Sequence, residues 1–198
     1  FCYDKRLYDR LVHEGAEQVR EHLLADVAYQ DGLVRFVENH DEPRVATVFD
    51  PAKEKGAAVA TLAQTGARLV HHGQVEGRKV RLPVFLGRFP PERVDADMAE
   101  FHRRLLAALD DPTVRIGTWR LCDRSGWPGD ETFEDLVAWS WEGGSRWLVV
   151  VNLSAETARG HVRAPWADLR GQPCRLTDPT TDVAYDRAGD DLCDGLYV

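Results

Sequence analysis

The chain has 198 residues, 43% of them apolar and 29% charged, with 16 Gly and 10 Pro spread along it, a globular composition that argues against disorder and against a fibrous repeat. Acidic residues outnumber basic ones by 33 to 25 for a formal charge of −8, and the basic residues form no run or stripe, so no nucleic-acid partner is expected. The longest apolar stretch, 147–153, contains Asn152 and falls far short of the roughly 20 residues of a membrane helix, so no membrane partner is expected either.

No charged segment followed by an apolar one opens the chain, which leaves a cytoplasmic location as the expectation. The chain starts at Phe1, its one methionine is Met98, and an apolar segment begins without lead-in, so it reads as a fragment. Cys2, Cys122, Cys174 and Cys193 are far apart and form no Cys-x-x-Cys pair, so free thiols are expected in place of a zinc or redox site.

From residue 1 to about 109, short apolar runs alternate with amphipathic stretches, the signature of βα units on a parallel sheet. The first unit pairs a strand at 1–3 with a helix that places Val19, Leu23, Leu24 and Val27 on one face. The second strand is expected at 33–37. Its helix starts with Asp50 as N-cap and Pro51 at the first helical position, then runs through Ala57, Val59 and Leu62. The third strand is expected at 67–71, and after a connection rich in Arg and Pro the spacing of Met98, Phe101, Leu105, Ala108 and Leu109 predicts the third helix. Three parallel strands cannot close a barrel.

The segment 110–133, with Pro112, Gly117, Gly126, Pro128 and Gly129, reads as a boundary. Beyond it the character is all-β. Val137, Trp139 and Trp141 alternate with small or polar residues, Gly143-Gly144 marks a hairpin turn, and 146–153 reads as the partner strand. Shorter strands are expected at 161–163, 175–177, 183–185 and 196–198. Alternation assigns Trp139, Trp141 and Trp147 to the core, while Trp127 and Trp166, flanked by Gly and Pro, are expected to be exposed.

The stretch Phe36-Val37-Glu38-Asn39-His40-Asp41-Glu42-Pro43-Arg44 carries the chemistry: an apolar strand ends in a cluster of ionisable and amide groups. In parallel βα folds the loops at the C-terminal strand ends converge on a crevice, and active sites form there. The pattern Phe36-x-x-x-His40-Asp41, with Val37 and Asn39, resembles the seventh barrel strand of the α-amylase family of glycoside hydrolases. One strand later, 66–74 resembles the family's eighth-strand segment but departs from it, with Arg68 where proline is common, His72 where tyrosine is common and Val75 in place of an acid. His71 and His72, adjacent on a strand, point to opposite faces and are not expected to share a metal ion.

The resemblance implies an α/β part followed by an all-β part. Residues 1–120 would supply the sixth to eighth units of a (β/α)8 barrel, and residues 121–198 a small antiparallel β-sandwich. It also implies a retaining enzyme on an α-glucan or oligosaccharide substrate, working without cofactor, in which Asp41 is catalytic and His40 and Asn39 bind substrate. Retention needs a nucleophilic carboxylate and a second acid and base about 5 Å apart. The family's nucleophile lies in a Gly-x-Arg-x-Asp stretch, which this sequence lacks. Both missing carboxylates would lie in an absent N-terminal part of the barrel, which becomes the chain's implied partner. Asp41 then has the role of stabilising the oxocarbenium-like transition state. Arg44 would orient Asp41 or sit in a surface ion pair. The competing reading is a noncatalytic carbohydrate-binding protein on the same scaffold.

Overall fold

Four of the helices start from an aspartate whose carboxylate takes up the otherwise unpaired amides of the first turn. Asp4 accepts from Leu7 N at 3.1 Å to open α1 (Lys5–His13), and Asp26 from Ala28 N at 2.8 Å to open α3 (Val27–Asp31), with α2 (Ala16–Leu23) between them. Asp50 accepts from Ala52 N and Lys53 N to open α5 (Pro51–Leu62), and Asp95 from Asp97 N and Met98 N to open α6 (Ala96–Ala108). The Asp50 cap and the Pro51 start are as the sequence predicts. In this computed structural model, which describes residues 1–83, 85, 87–88 and 90–198, these helices alternate with three short strands. They are β1 (Cys2–Tyr3), β2 (Leu33–Arg35) and β3 (Ala67–Arg68), with the short helix α4 (Val45–Val48) after β2.

The three strands form one parallel sheet in the order β1-β2-β3, with Tyr3 opposite Val34 and Arg35 opposite Arg68. Bonds from Asp4 N to Val34 O and from Leu69 N to Arg35 O carry the pairing a residue further toward the C-terminal ends. Gly66 makes the entry to β3 possible. Its φ is +92°, and a Cβ there would lie 2.5 Å from the Leu33 carbonyl oxygen, so only glycine fits.

A buried charge network braces the sheet against its helices. Arg35 and Gln30 are fully buried, and Arg35 donates to Asp4, to Gln30 Oε1 at 3.0 Å and to the Thr65 carbonyl at 3.3 Å. His22 Nε2 lies 3.0 Å from Asp4, and Gln30 donates to the Leu23 and Ala25 carbonyls. Burial works to raise the Asp4 carboxyl, but His22, Arg35 and the Leu7 amide together hold it below the usual carboxylate range.

After α7 (Thr113–Ile116) the chain is largely antiparallel. Its strands are β4 (Thr118–Leu121), β5 (Asp123–Ser125), β6 (Leu136–Glu142), β7 (Arg146–Asn152), β8 (His161–Arg163), β9 (Pro173–Thr177), β10 (Ala184–Ala188) and β11 (Leu196–Tyr197), with helix α8 (Gly189–Asp194) before the last. They form sheets ordered β4-β6-β7, β11-β8-β5 and β10-β9. The β6–β7 register pairs Trp141 with Trp147 across the Gly143-Gly144 turn, as the sequence predicts.

β6 is buried on both faces. Val137, Trp139 and Trp141 enter the main core with Leu7, Leu11, Val19, Leu62 and Leu105 of the helices, whereas Ala138 joins Cys122 and Val162 in a second cluster under β8. The indoles of Trp139 and Trp141 both donate to the Ala63 carbonyl at the end of α5, at 3.1 and 2.9 Å. Trp139 and Trp141 are in the core as expected, a core shared with the helices, whereas Trp147 is half-buried against it with its indole donating to Asp111 at 3.1 Å. Truncating Trp139 or Trp141 to alanine would cost on the order of 3–5 kcal/mol.

Elsewhere the structure differs from expectation. Leu24 caps α2 and is 67% exposed, and Val27 opens the separate helix α3, so neither continues the buried face of Val19 and Leu23. Trp166, expected at the surface, is 3% exposed and packs in a third cluster with Ala164 and Leu192 of α8. Strands β2 and β3 end at Arg35 and Arg68, short of the predicted 33–37 and 67–71. The four cysteines are free: Cys122 and Cys193 are buried, Cys174 half-buried, and Cys2 exposed. Among the described residues no helix is long and apolar enough to cross a membrane.

Candidate functional site

The polar cluster after β2 divides into a buried clamp and an exposed tip. Glu38 belongs to the clamp and is fully buried; it accepts from Val45 N at 2.7 Å and pairs with Arg44 at 2.8 Å. Burial pushes the Glu38 carboxyl up to about 7, against the Val45 amide and Arg44, which favour its anion. Arg44 is itself 4% exposed. It donates to His71 Nδ1 at 2.9 Å, to the His72 carbonyl at 2.9 Å and to the Arg78 carbonyl at 3.2 Å.

His71 Nδ1 also lies 3.2 Å from Glu38 Oε1, so the imidazole closes the Glu38–Arg44 pair from the third loop. Burial, then Arg44, His40 and His72, hold the His71 imidazole below its ordinary pKa. Arg44 therefore takes neither of the roles expected for it. It ties the loop after β2 to the loop after β3.

Asn39 shapes the tip. Its side-chain oxygen accepts from Asp41 N at 2.8 Å and Glu42 N at 3.0 Å, a local turn that reverses the chain and leaves His40 and Asp41 outside. Asn39 is buried, while the Asp41 side chain is 72% exposed. His40 Nε2 lies 3.2 Å from Asp41 Oδ2, and Arg81 donates to the main-chain carbonyls of both residues. His40 is thus no core histidine. The neighbouring carboxylates point elsewhere, Glu38 into the clamp and Glu42 to Lys5 at 3.1 Å.

The loop after β1 supplies a wall. Lys5 bridges Glu42 and Asp9 and lies 4.5 Å over the Tyr8 ring, and Tyr8 stacks on Phe36 with centroids 5.6 Å apart. Burial, and the nearby Glu42, push the Tyr8 phenol up to about 12. From the sequence, residues 3–9 read either as a charged strand end beside the site or as a solvated helix start; the segment starts α1, and its Lys5 reaches Glu42.

Behind the clamp, on α5, Glu54 is 3% exposed and its Oε1 has no hydrogen-bond partner in the structure. Burial, with Glu38 and Asp95 adding repulsion, pushes it up to about 7. Its place between Lys53 and Lys55 in the first turn of α5 reads as a solvated face and hides it from sequence reasoning. A concavity of about 540 Å³ lies away from the β2 loop, between α7 and the β6–β7 turn, lined by Asp111, Thr113, Ile116 and Ser145 among others. Among the described residues, no three His, Cys, Asp or Glu side chains gather to hold a metal ion.

Three loops thus converge at the C-terminal end of the parallel sheet, where the Asp41 carboxylate and the His40 imidazole face solvent. No family model matches the chain, and a comparison with curated proteins returns no match either. Solved structures do match. A noncanonic maltogenic α-amylase from Thermotoga neapolitana is similar over 93% of this chain and 45% of its own, at TM-score 0.74 and 19% identity. An α-amylase from Lactobacillus plantarum is similar over 99% of this chain and 45% of its own, at TM-score 0.71 and 17% identity. An Anoxybacillus α-amylase follows at 92% and 42%, TM-score 0.68 and 15% identity. The chain spans less than half the length of each, and at these identities the likeness is one of fold: this chain is folded like a part of an α-amylase.

Proposed function

We propose that the chain is the C-terminal part of an α-amylase-family glycoside hydrolase or transglycosylase that acts on α-linked glucans with retention. On this reading 1–120 is the sixth to eighth βα units of the catalytic barrel and 121–198 a β-sandwich. The observation that carries it is the β2 strand end, where the Asn39 turn turns His40 and Asp41 outward at the convergence of three loops. The parallel sheet supports the same reading, because among the described residues β1 and β3 each pair on one side only and a barrel would pair the other.

In the parent protein the preceding barrel strands would supply the nucleophile and the acid and base, and would cover Asp41. The anionic carboxylate then opposes the positive charge that develops at the sugar carbon, while His40 and Asn39 hold sugar hydroxyls. No cofactor is needed.

The test compares the full-length parent with this chain alone on a maltooligosaccharide, with product configuration followed by NMR. The expected result is turnover with retention by the parent and none by the chain. Turnover by the chain alone, or a parent that binds the glucan without cleaving it, would overturn the proposal.

A further inference from the structure

Three aromatic side chains gather on the sheet β11-β8-β5, on elements that contribute nothing to the β2 strand end. Trp127 occupies the turn after β5, closed by Asp130 N donating to the Trp127 carbonyl, with Gly129 at φ +84°. His161 opens β8, and Tyr197 on β11 is its register partner. Ring centroids stand 4.6 Å apart for Trp127 and His161, 5.6 Å for Trp127 and Tyr197 and 6.1 Å for His161 and Tyr197, with the planes inclined by 57° to 64°. Trp127 is 39% and Tyr197 58% exposed.

The backbone is fitted to this grouping. Gly195 has φ +143°, and a Cβ there would lie 3.0 Å from His161 Cβ, so a bare backbone is what lets β11 close on His161. At the rim, Asp130 accepts from Thr132 N and Oγ1 and pairs with Arg159 at 2.6 Å, which fixes donors and acceptors beside the rings with no net charge.

Large π faces left in water, each with an N–H or O–H at its edge, suit a ligand that has both an apolar face and a hydroxylated rim. Opposite charges that cancel at the rim favour an uncharged one. A pyranose ring meets both conditions: its axial C–H bonds pack on an aromatic face and its equatorial hydroxyls reach the polar edge. An apolar protein surface would leave the three edge groups and the ion pair without partners.

We propose that Trp127, His161 and Tyr197 form a saccharide-binding platform separate from the β2 strand end and that it takes an α-glucan chain. The choice of an α-glucan rests on the proposed function. The platform holds polymer, and the strand end acts on it.

The test uses the full-length parent in native gels containing soluble starch, in an Asp41→Asn background so that the polymer persists. The expected result is retardation by starch that weakens about fivefold in Trp127→Ala and in Tyr197→Ala, and is largely kept in Trp127→Phe, as the loss of one aromatic contact implies. With Asp41 restored, turnover of maltotriose should be unchanged by Trp127→Ala. Equal retardation of all variants, or none in the parent, would overturn the platform while leaving the proposed function standing. A Trp127→Ala variant that alters sedimentation but not retardation would assign the face to protein contacts and also overturn it. A parent that never cleaves glucan yet shows Trp127-dependent retardation would sustain the platform and sink the proposed function.

Discussion

Two groups of charges lie on the same stretch of chain and are treated in opposite ways. At Arg35 the guanidinium is fully buried and every neighbour is spoken for: Asp4, Gln30 and the Thr65 carbonyl take its protons, His22 shares the Asp4 Oδ2 that Arg35 meets, and Asp4 Oδ1 accepts from Leu7 N. At Asp41 the backbone is fastened by Asn39 and Arg81, yet the carboxylate itself faces solvent with His40 as its neighbour. Buried and saturated charge braces the sheet, because an unpaired ion inside would be costly. Exposed charge on a fixed backbone is what a site needs, since the group is positioned but free to meet a ligand. Glu38 and Arg44 stand between these extremes, buried like the first group and linking the loops that carry the second.

This contrast can be broken at either end. The largest effect on stability is expected from Arg35→Met in the full-length parent, which strands Asp4 in the interior without its cation. Removing one partner of a buried pair costs on the order of 3–5 kcal/mol. Urea denaturation should show that loss. A cost near that of a surface ion pair, below about 1 kcal/mol, would mean that the network is looser than its geometry implies.

A smaller, pH-dependent effect is expected at Glu54, where the charge is buried without a partner for Oε1. Its carboxyl is raised in the folded state from 4.5 to about 7, so the folded protein holds this proton to higher pH than the unfolded chain does. The sign follows: Glu54 favours folding at low pH, and that contribution is lost as pH rises from 4.5 through 7. Glu54→Gln, which mimics the protonated form, should therefore be nearly neutral at pH 4.5 and stabilising by roughly 2 kcal/mol at pH 8. Melting curves at the two pH values check this. Equal shifts at both, or destabilisation at pH 8, would contradict it.

Much of this was legible in the sequence where the signal is local. The Asp50-Pro51 helix start, the Trp139 and Trp141 alternation and the polar cluster at 38–44 each lie within a few residues and follow from capping, periodicity and a strand that ends in charge. What was not legible depends on distant partners. The start of helix α1 can be read as solvated, but its burial cannot be read, because Leu7, Tyr8 and Leu11, its buried side chains, are scattered among charges. Helix α8 hides because only Gly189, Leu192 and Cys193 are buried in an acidic segment, and Trp166 is buried by that same helix. Arg44 could be placed only by its bonds to His71, His72 and Arg78, roughly thirty residues away.

The central claim is that the exposed carboxylate after β2 is chemical and not architectural, and the parent's Asp41→Asn variant tests it most directly. The substitution keeps size and most hydrogen bonding but removes the charge that would oppose the oxocarbenium ion. On a soluble maltooligosaccharide the account predicts that kcat falls at least ~10²-fold, roughly 3 kcal/mol, with kcat/KM falling alongside and Tm unchanged. Glu42→Gln, which changes the contacts with Lys5 and Tyr8 and leaves the His40–Asp41 tip alone, should lose far less. An Asp41→Asn enzyme that turns over nearly as fast as the parent, at the same Tm, would contradict the account.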